Sequence, residues 1–228
     1  MSFKQEFITN FIKDDRWKYL VDGLWVTLII TFGAAIIGVL IGFIVAAIRT
    51  SYEKTGKLKV LNAICKFYLT VTRGTPMLVQ LLIIYFVILA PLRLNSVVVA
   101  VVAFGINSGA YVAEIVRSGI MSIDSGQFEA SRSLGMTYGQ TMIHIILPQA
   151  FKNILPALLN EIIALLKETS IAGYIAIQDL TKGGYIILGR TFSAFMPLIA
   201  VALIYLILVL LLTKLTGLIE RRLRASDR

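Results

Sequence analysis

The sequence predicts an all-α membrane protein with five transmembrane helices, its N-terminus outside and its C-terminus cytoplasmic. Three observations carry that reading. Of 228 residues, 57% are hydrophobic and only 15% charged, where soluble domains carry about a quarter of their residues as charges. Residues 23–48, 74–92, 94–113 and 191–213 contain no Asp, Glu, Lys or Arg, and 153–166 contain only Glu161. A helix needs ~20 apolar residues to cross a hydrocarbon core. The third observation is that the formal charge of +9 is sorted into alternate loops. Arg49, Lys54, Lys57, Lys59 and Lys66 follow the first span; Arg117, Arg132 and Lys152 lie within or flank the stretch 129–148; Lys214, Arg221, Arg222, Arg224 and Arg228 follow the last. The loop at 91–96 has Arg93 as its only basic residue, and 168–194 has Lys182 and Arg190. Positive residues mark the cytoplasmic side, so the excess reflects topology rather than a polyanionic partner.

Residues 1–19 form an amphipathic N-terminal segment, and two readings fit it: a helix lying in the membrane interface or a solvated terminus. The apolar run that follows exceeds the roughly 7–15 residues of a signal-peptide core, so it reads as a permanent first span, about 21–48. Gly33, Gly38 and Gly42, with Ala34, Ala35, Ala46 and Ala47, suit close packing in a bundle. The second span is interrupted by "RGTP" at 73–76. Pro76 lacks a donor and Gly74 is permissive, and irregular backbone at membrane depth survives only where it is buried or lines a cavity. This is one crossing with a break beside a translocation path, or a simple kink.

The third span, about 96–120, carries Asn107 and Ser108 at its middle, and Glu114 and Arg117 at salt-bridge spacing near its inner end. The fourth starts after Pro148 and runs to about Ser170. An unpaired carboxylate at the bilayer centre costs ~2.5–3.5 kcal/mol on insertion scales. Glu161 must therefore line a pathway or pair internally, with Lys167 or a neighbouring helix. Residues 171–190, with Gly173, Gly183 and Gly184, read as an outside loop, and the fifth span, about 191–216, as a packing or lipid-facing helix. The lone Cys65 reads as a packing residue.

The motifs of nucleotide and hydrolytic chemistry are missing from the sequence: no G-x-x-x-x-G-K-[ST], no G-x-S-x-G, no H-E-x-x-H. His144 is the one histidine, which predicts no metal site. The chain reads as no enzyme, with no cofactor of its own; if it pumps, another chain supplies the motor. The topology puts residues 121–147 in the cytoplasm. There a helix starting near Ser125–Gln127, with Ser125 as its cap, places Phe128, Ser131, Leu134 and Tyr138 along one face. Gly135 either ends it or admits another backbone, and Pro148 opens a fresh helix. A short helix between two crossings is a handle for a soluble partner.

The order Glu129-Ala130-Ser131, three residues, Gly135, nine residues, Ile145, one residue, Leu147-Pro148 resembles the EAA motif of ABC importer membrane subunits, with Ser131 where that pattern usually has alanine. "RGTPMLVQL" (73–81), "AYVAEIVRSGI" (110–120), "GQFEASRSLGM" (126–136) and "LPQAFKNILPALLNEIIALLKETSI" (147–171) resemble the permeases of polar amino acid uptake systems. The similarity covers roughly residues 20–220. It implies a five-helix permease of the bacterial cytoplasmic (inner) membrane, residues 1–228 forming one transmembrane domain, paired with an identical or related second permease. Two cytoplasmic ATP-binding cassette ATPases, which hold ATP and Mg, would bind below, and an extracytoplasmic binding protein would deliver an amino acid. The loop at 121–147 would be the coupling element, using Gln127, Glu129, Ala130, Ser131, Arg132, Leu134 and Gly135. Candidate substrate contacts are Glu161, Asn160, Asn107, Gln80, Thr75 and Gly74. The intramembrane carboxylate favours basic amino acids, Arg, Lys or His; another polar amino acid such as glutamine is the alternative. A different class, an ion-coupled secondary transporter using Glu161, needs no ATPase but leaves the spacing of residues 129–148 unexplained. The broken span and the intramembrane polar groups disfavour a mere membrane anchor.

Overall fold

The computed structural model describes residues 2–225, and every regular element among them is helical. Arg228 and the side chain of Arg224, counted with the basic residues behind the last span, lie outside what is described. A short helix α1 (Phe3–Phe7), a π-turn and a 3₁₀ turn lead into α2 (Trp17–Thr55), which outruns its uncharged core at both ends. α2 stops at Gly56, whose positive φ of 68° and N–H to the Tyr52 carbonyl close the last turn. Next come α3 (Lys59–Gly74) and α4 (Met77–Ile83), the latter prolonged by a π-turn to Ile88. The break falls at the "RGTP" stretch: Thr75 and Pro76 are extended, and the two halves are bent by 112°. α5 (Ser96–Met121) is followed by three helices in close succession, α6 (Ser125–Ser133), α7 (Tyr138–Thr141) and α8 (Leu147–Glu168). α9 (Leu180–Thr191) and α10 (Phe195–Ala225) complete the chain. Among the described residues, four helical runs are long and apolar enough to cross a membrane, and a fifth is added if the bent pair counts as one span.

α2 and α5 share the largest helix–helix contact. Small residues make it possible: a side chain on Gly38 would meet Ser108 at 3.0 Å. One core cluster joins Ile30 and Ala34 of α2 to Leu81, Phe104 and Leu165. A second, toward α6, joins Ala46 to Val116, Ile120, Ile146 and Ile154. Cys65 packs in a third with Val45, Leu69 and Ala113. α10 instead leaves Leu203, Leu206, Ile207, Leu210 and Leu211 exposed, as expected of a helix facing lipid or a partner.

Three expectations are corrected. Residues 171–190 are no loop: a 3₁₀ stretch (Thr169–Ile175) precedes α9. Asp179 caps α9, accepting from the N–H groups of Thr181 (3.2 Å) and Lys182 (3.1 Å). Burial pushes its carboxyl above the ordinary range, and those N–H groups pull it back. Gly183, one of the presumed loop glycines, sits where the Tyr19 carbonyl of α2 leaves no room for a Cβ. Second, Pro148 does not open a separate helix. A π-turn over Met142–Ile146, closed by the Leu147 N–H on the Met142 carbonyl, widens the helix just before the proline ring. The apolar helical run is therefore continuous from Tyr138 to Ile175. Third, Ser125 is the first residue of α6 rather than its cap. Asp124 caps it, its Oδ1 accepting from the Gly126 N–H at 2.6 Å. The N-terminal segment is tied to α9: Asn10 accepts from the Thr191 hydroxyl (2.9 Å), and its amide donates to the Glu6 carbonyl (2.8 Å).

Candidate functional site

The candidate residues gather in two regions, at the α6 end of the bundle and along the α5–α8 cleft. α6 ends in a turn made by Gly135 at φ +82°, where the Gly135 N–H reaches the Arg132 carbonyl (3.0 Å) and the Met136 N–H the Ser131 carbonyl (3.1 Å). Gly135 thus terminates the helix, and no atom of this chain crowds it. Ser131 is the one buried residue of α6. Its hydroxyl lies 3.0 Å from the Phe128 carbonyl and 3.1 Å from the Thr141 hydroxyl, so it ties α6 to the helix that continues into α8. Alanine could not make that link. Phe128 packs on the cluster of Ile120 and Ile146, with the Lys54 ammonium 4.5 Å from its ring. Gln127, Glu129, Ala130, Arg132 and Gly135 face outward, and Leu134 is 83% exposed. The single face expected for Phe128, Ser131, Leu134 and Tyr138 does not form, because Leu134 falls just past the helix end and Tyr138 opens the next helix.

Between α5 and α8 lies an open cleft of about 500 Å³. Glu161, Ala157 and Asn153 line it from α8, at the four-residue spacing of one helix face; Tyr111, Glu114 and Ser118 line it from α5, Ser122 from just past its end, and Arg73 from the end of α3. The partner of Glu161 is the Ser108 hydroxyl, which donates to its Oε1 at 2.8 Å, rather than Lys167. At the other end of the cavity Asn153 donates to the Ser122 hydroxyl (2.9 Å), linking α8 to α5.

Beside the cavity lies a charge cluster from three helices. Arg117 grips Glu114 with Nη2 (2.8 Å) and Nε (3.1 Å), as the i,i+3 spacing predicts. Around this pair stand Arg49, 3.6 Å from Glu114 and 3.7 Å from Glu53, and Arg73, 4.0 Å from Glu114. Arg117 also approaches Glu53 (3.7 Å). The cluster joins α2, α3 and α5 where α3 breaks.

Gln80 organises that break. Its Nε2 donates to the carbonyls of Thr72 (2.7 Å) and Thr75 (3.0 Å) and to the Thr75 hydroxyl (2.9 Å), while its Oε1 accepts from buried Asn107 (3.0 Å). Four candidates therefore meet around the broken backbone: Gln80, Asn107, Thr75 and, just before it, Gly74. Glu161 sits apart, with Ser108. Asn160 joins neither group: it is exposed and does not line the cavity, since successive helical residues point about 100° apart. Ser108, Arg73 and Tyr111 were not among the candidate substrate contacts. A signal existed for Ser108, a hydroxyl beside Asn107 at mid-span, and for Arg73, a cation at the edge of the break.

The chain matches, over residues 38–225, the model of the family described as binding-protein-dependent transport system inner membrane component. It is 41% identical over 211 residues to the arginine transport system permease protein ArtQ of Bacillus subtilis, covering 92% of this chain and 94% of that one. A relative from Rickettsia bellii named for glutamine transport, GlnP, is 39% identical over 210 residues, covering 91% and 94%. A crystal structure of an amino acid ABC transporter with histidines matches with a TM-score of 0.82 at 45% identity, covering 90% of this chain and 94% of that one.

Proposed function

The chain belongs to the family of binding-protein-dependent transport system inner membrane components, and from that premise we propose that it is the membrane-spanning subunit of an ATP-driven importer of basic amino acids. The observation that carries the substrate class is Glu161, a carboxylate inside the membrane that faces a cleft and has, among the described residues, a hydroxyl as its only partner. A carboxylate so placed is stabilised by a cation, and the side chains of arginine, lysine and histidine bring one. The arginine relative and the neighbour solved with histidines support this preference. The glutamine-named relative supports the alternative cargo.

Transport proceeds by alternating access. A partner ATPase, present in two copies, seats the exposed face of α6: Glu129 and Arg132 make polar contacts, Leu134 fills an apolar recess, and Gly135 allows close approach. ATP binding draws the two ATPases together and displaces α6. Because Ser131 and Phe128 fix α6 to the helices around it, the displacement reaches α5 and α8, and the cavity between them changes its access. A second permease, identical or related, completes the pathway, and an extracytoplasmic binding protein delivers the amino acid. In this arrangement the N-terminus is outside and the C-terminus cytoplasmic, with Lys54 on the same side as α6.

The test is competition for labelled arginine uptake in proteoliposomes holding the complex with its ATPase. Arginine, lysine and histidine should compete better than glutamine, and vanadate should stop uptake. Stronger competition by glutamine overturns the basic preference. Uptake that persists without ATP and follows an ion gradient overturns the ATP-driven mechanism.

A further inference from the structure

The cleft between α5 and α8 carries a carboxylate at one end and a guanidinium partway along it, and neither is fully answered among the described residues. Glu161 has only the Ser108 hydroxyl. The neighbouring cluster contains three guanidiniums, Arg49, Arg73 and Arg117, against two carboxylates, Glu53 and Glu114, leaving one cation in surplus. Distances identify which one. Glu114 is taken by Arg117 at 2.8 Å, while Arg49 divides itself between Glu53 and Glu114 and keeps a side-chain exposure of 15%. Arg73 reaches Glu114 only at 4.0 Å and keeps 44% of its side chain exposed, and it alone of the three guanidiniums lines the cavity. Its guanidinium lies 5.7 Å from the centre of the Tyr111 ring, another cavity wall.

We propose that Arg73 holds the α-carboxylate of the transported amino acid, partway along the cleft from Glu161 toward Asn153. The proposal rests on reading this cavity as an amino acid site. A guanidinium presents a planar fork of donors matched to a carboxylate, which Lys cannot reproduce. Arg73 is also placed by the break itself: it is the penultimate residue of α3, before the chain turns at Thr75. The separation of the two charges fits a long substrate. Ser108, which marks the level of Glu161, and Glu114, which marks that of Arg73, are six residues apart on α5, or about 9 Å at 1.5 Å per residue. An extended arginine or lysine spans a distance of that order from its α-carboxylate to its terminal nitrogen. With the carboxylate on Arg73, the α-ammonium falls beside Glu114 and the side-chain cation reaches Glu161. A shorter neutral side chain leaves Glu161 unanswered, so Arg73 and Glu161 together act as a ruler.

The experiment compares arginine with agmatine, which is arginine without its carboxylate, by competition binding to the permease–ATPase complex in the absence of the binding protein. Wild type should bind arginine at least tenfold more tightly than agmatine. Arg73→Gln should lower arginine to the level of agmatine while leaving agmatine where it was, and Arg73→Lys should restore part of the difference. The proposal is overturned if wild type does not prefer arginine, or if Arg73→Gln weakens both ligands equally or neither. Glu161→Gln, run in parallel, reports on the cavity itself. If that variant binds both ligands as wild type does, the reading of the site fails, whatever the result at Arg73.

Discussion

The α6 segment and the Glu161 cavity both depend on α5 and α8, yet they are built in opposite ways. α6 is specified locally. Its cap, Asp124, acts two residues away, Gly135 closes the same turn it belongs to, and the Ser131–Thr141 link spans ten residues. Its outward residues meet solvent in this chain and are free for another molecule. The cavity is specified at a distance. Ser108 and Glu161, which hold it together, are 53 residues apart, and its other walls come from α3 and α5. On the proposed roles, α6 can therefore be exchanged or tuned as a short segment, whereas the Glu161 cleft is a property of the whole bundle. The two should fail differently when mutated.

The largest effect is expected at Gly135. A bulky side chain there meets the cost of a left-handed backbone, about 1–2 kcal/mol, and also blocks the surface offered to the ATPase. Gly135→Leu should reduce ATP-driven uptake at least tenfold and reduce co-purification of the ATPase, while arginine binding to the permease persists. Normal uptake with the ATPase bound would remove α6 from the coupling path. Ser131→Val should have an intermediate effect. It leaves the Thr141 hydroxyl without its partner in a buried place, at about 1–3 kcal/mol, and loosens α6 from α7. ATP hydrolysis should continue while uptake per ATP falls several-fold, with substrate affinity unchanged; a fall in affinity instead would mean that the two regions are not separable. The smallest effect belongs to Ser108→Ala, which removes one hydrogen bond from Glu161. Arginine affinity should shift a few-fold and glutamine affinity not at all, measured by competition on the same complex.

This contrast explains how much could be read in the sequence. The helical membrane class and the approximate spans follow from runs of uncharged residues, because insertion into hydrocarbon depends on local composition. The break at Gly74–Pro76 and the helix ending at Gly135 were legible because proline and glycine act on the backbone at their own positions. α9 was missed because its glycines, Gly183 and Gly184, answer to α2 and α10 packed against them rather than to a turn. The continuous run from Tyr138 to Ile175 was missed because a π-turn absorbs Pro148, and its hydrogen-bond register leaves no mark on composition. Within the site, Glu161 stood out as a charge in an apolar run, but its neighbour in sequence, Asn160, proved less relevant than Ser108 on another helix. Arg73 was quoted with the break and not recognised, since its value lies in how the other charges of the cluster pair.

The central claim is that Glu161 recognises the cation of the cargo while α6 drives its movement. Initial rates of ATP-driven uptake of arginine and of glutamine, measured for wild type and Glu161→Gln in the same proteoliposomes, test it most directly. The account predicts that the variant loses arginine uptake at least tenfold and retains its ATPase and its residual glutamine uptake, so that the preference between the two substrates narrows or inverts. Unchanged arginine uptake, or an equal loss for both substrates, would contradict it and leave Glu161 a structural carboxylate.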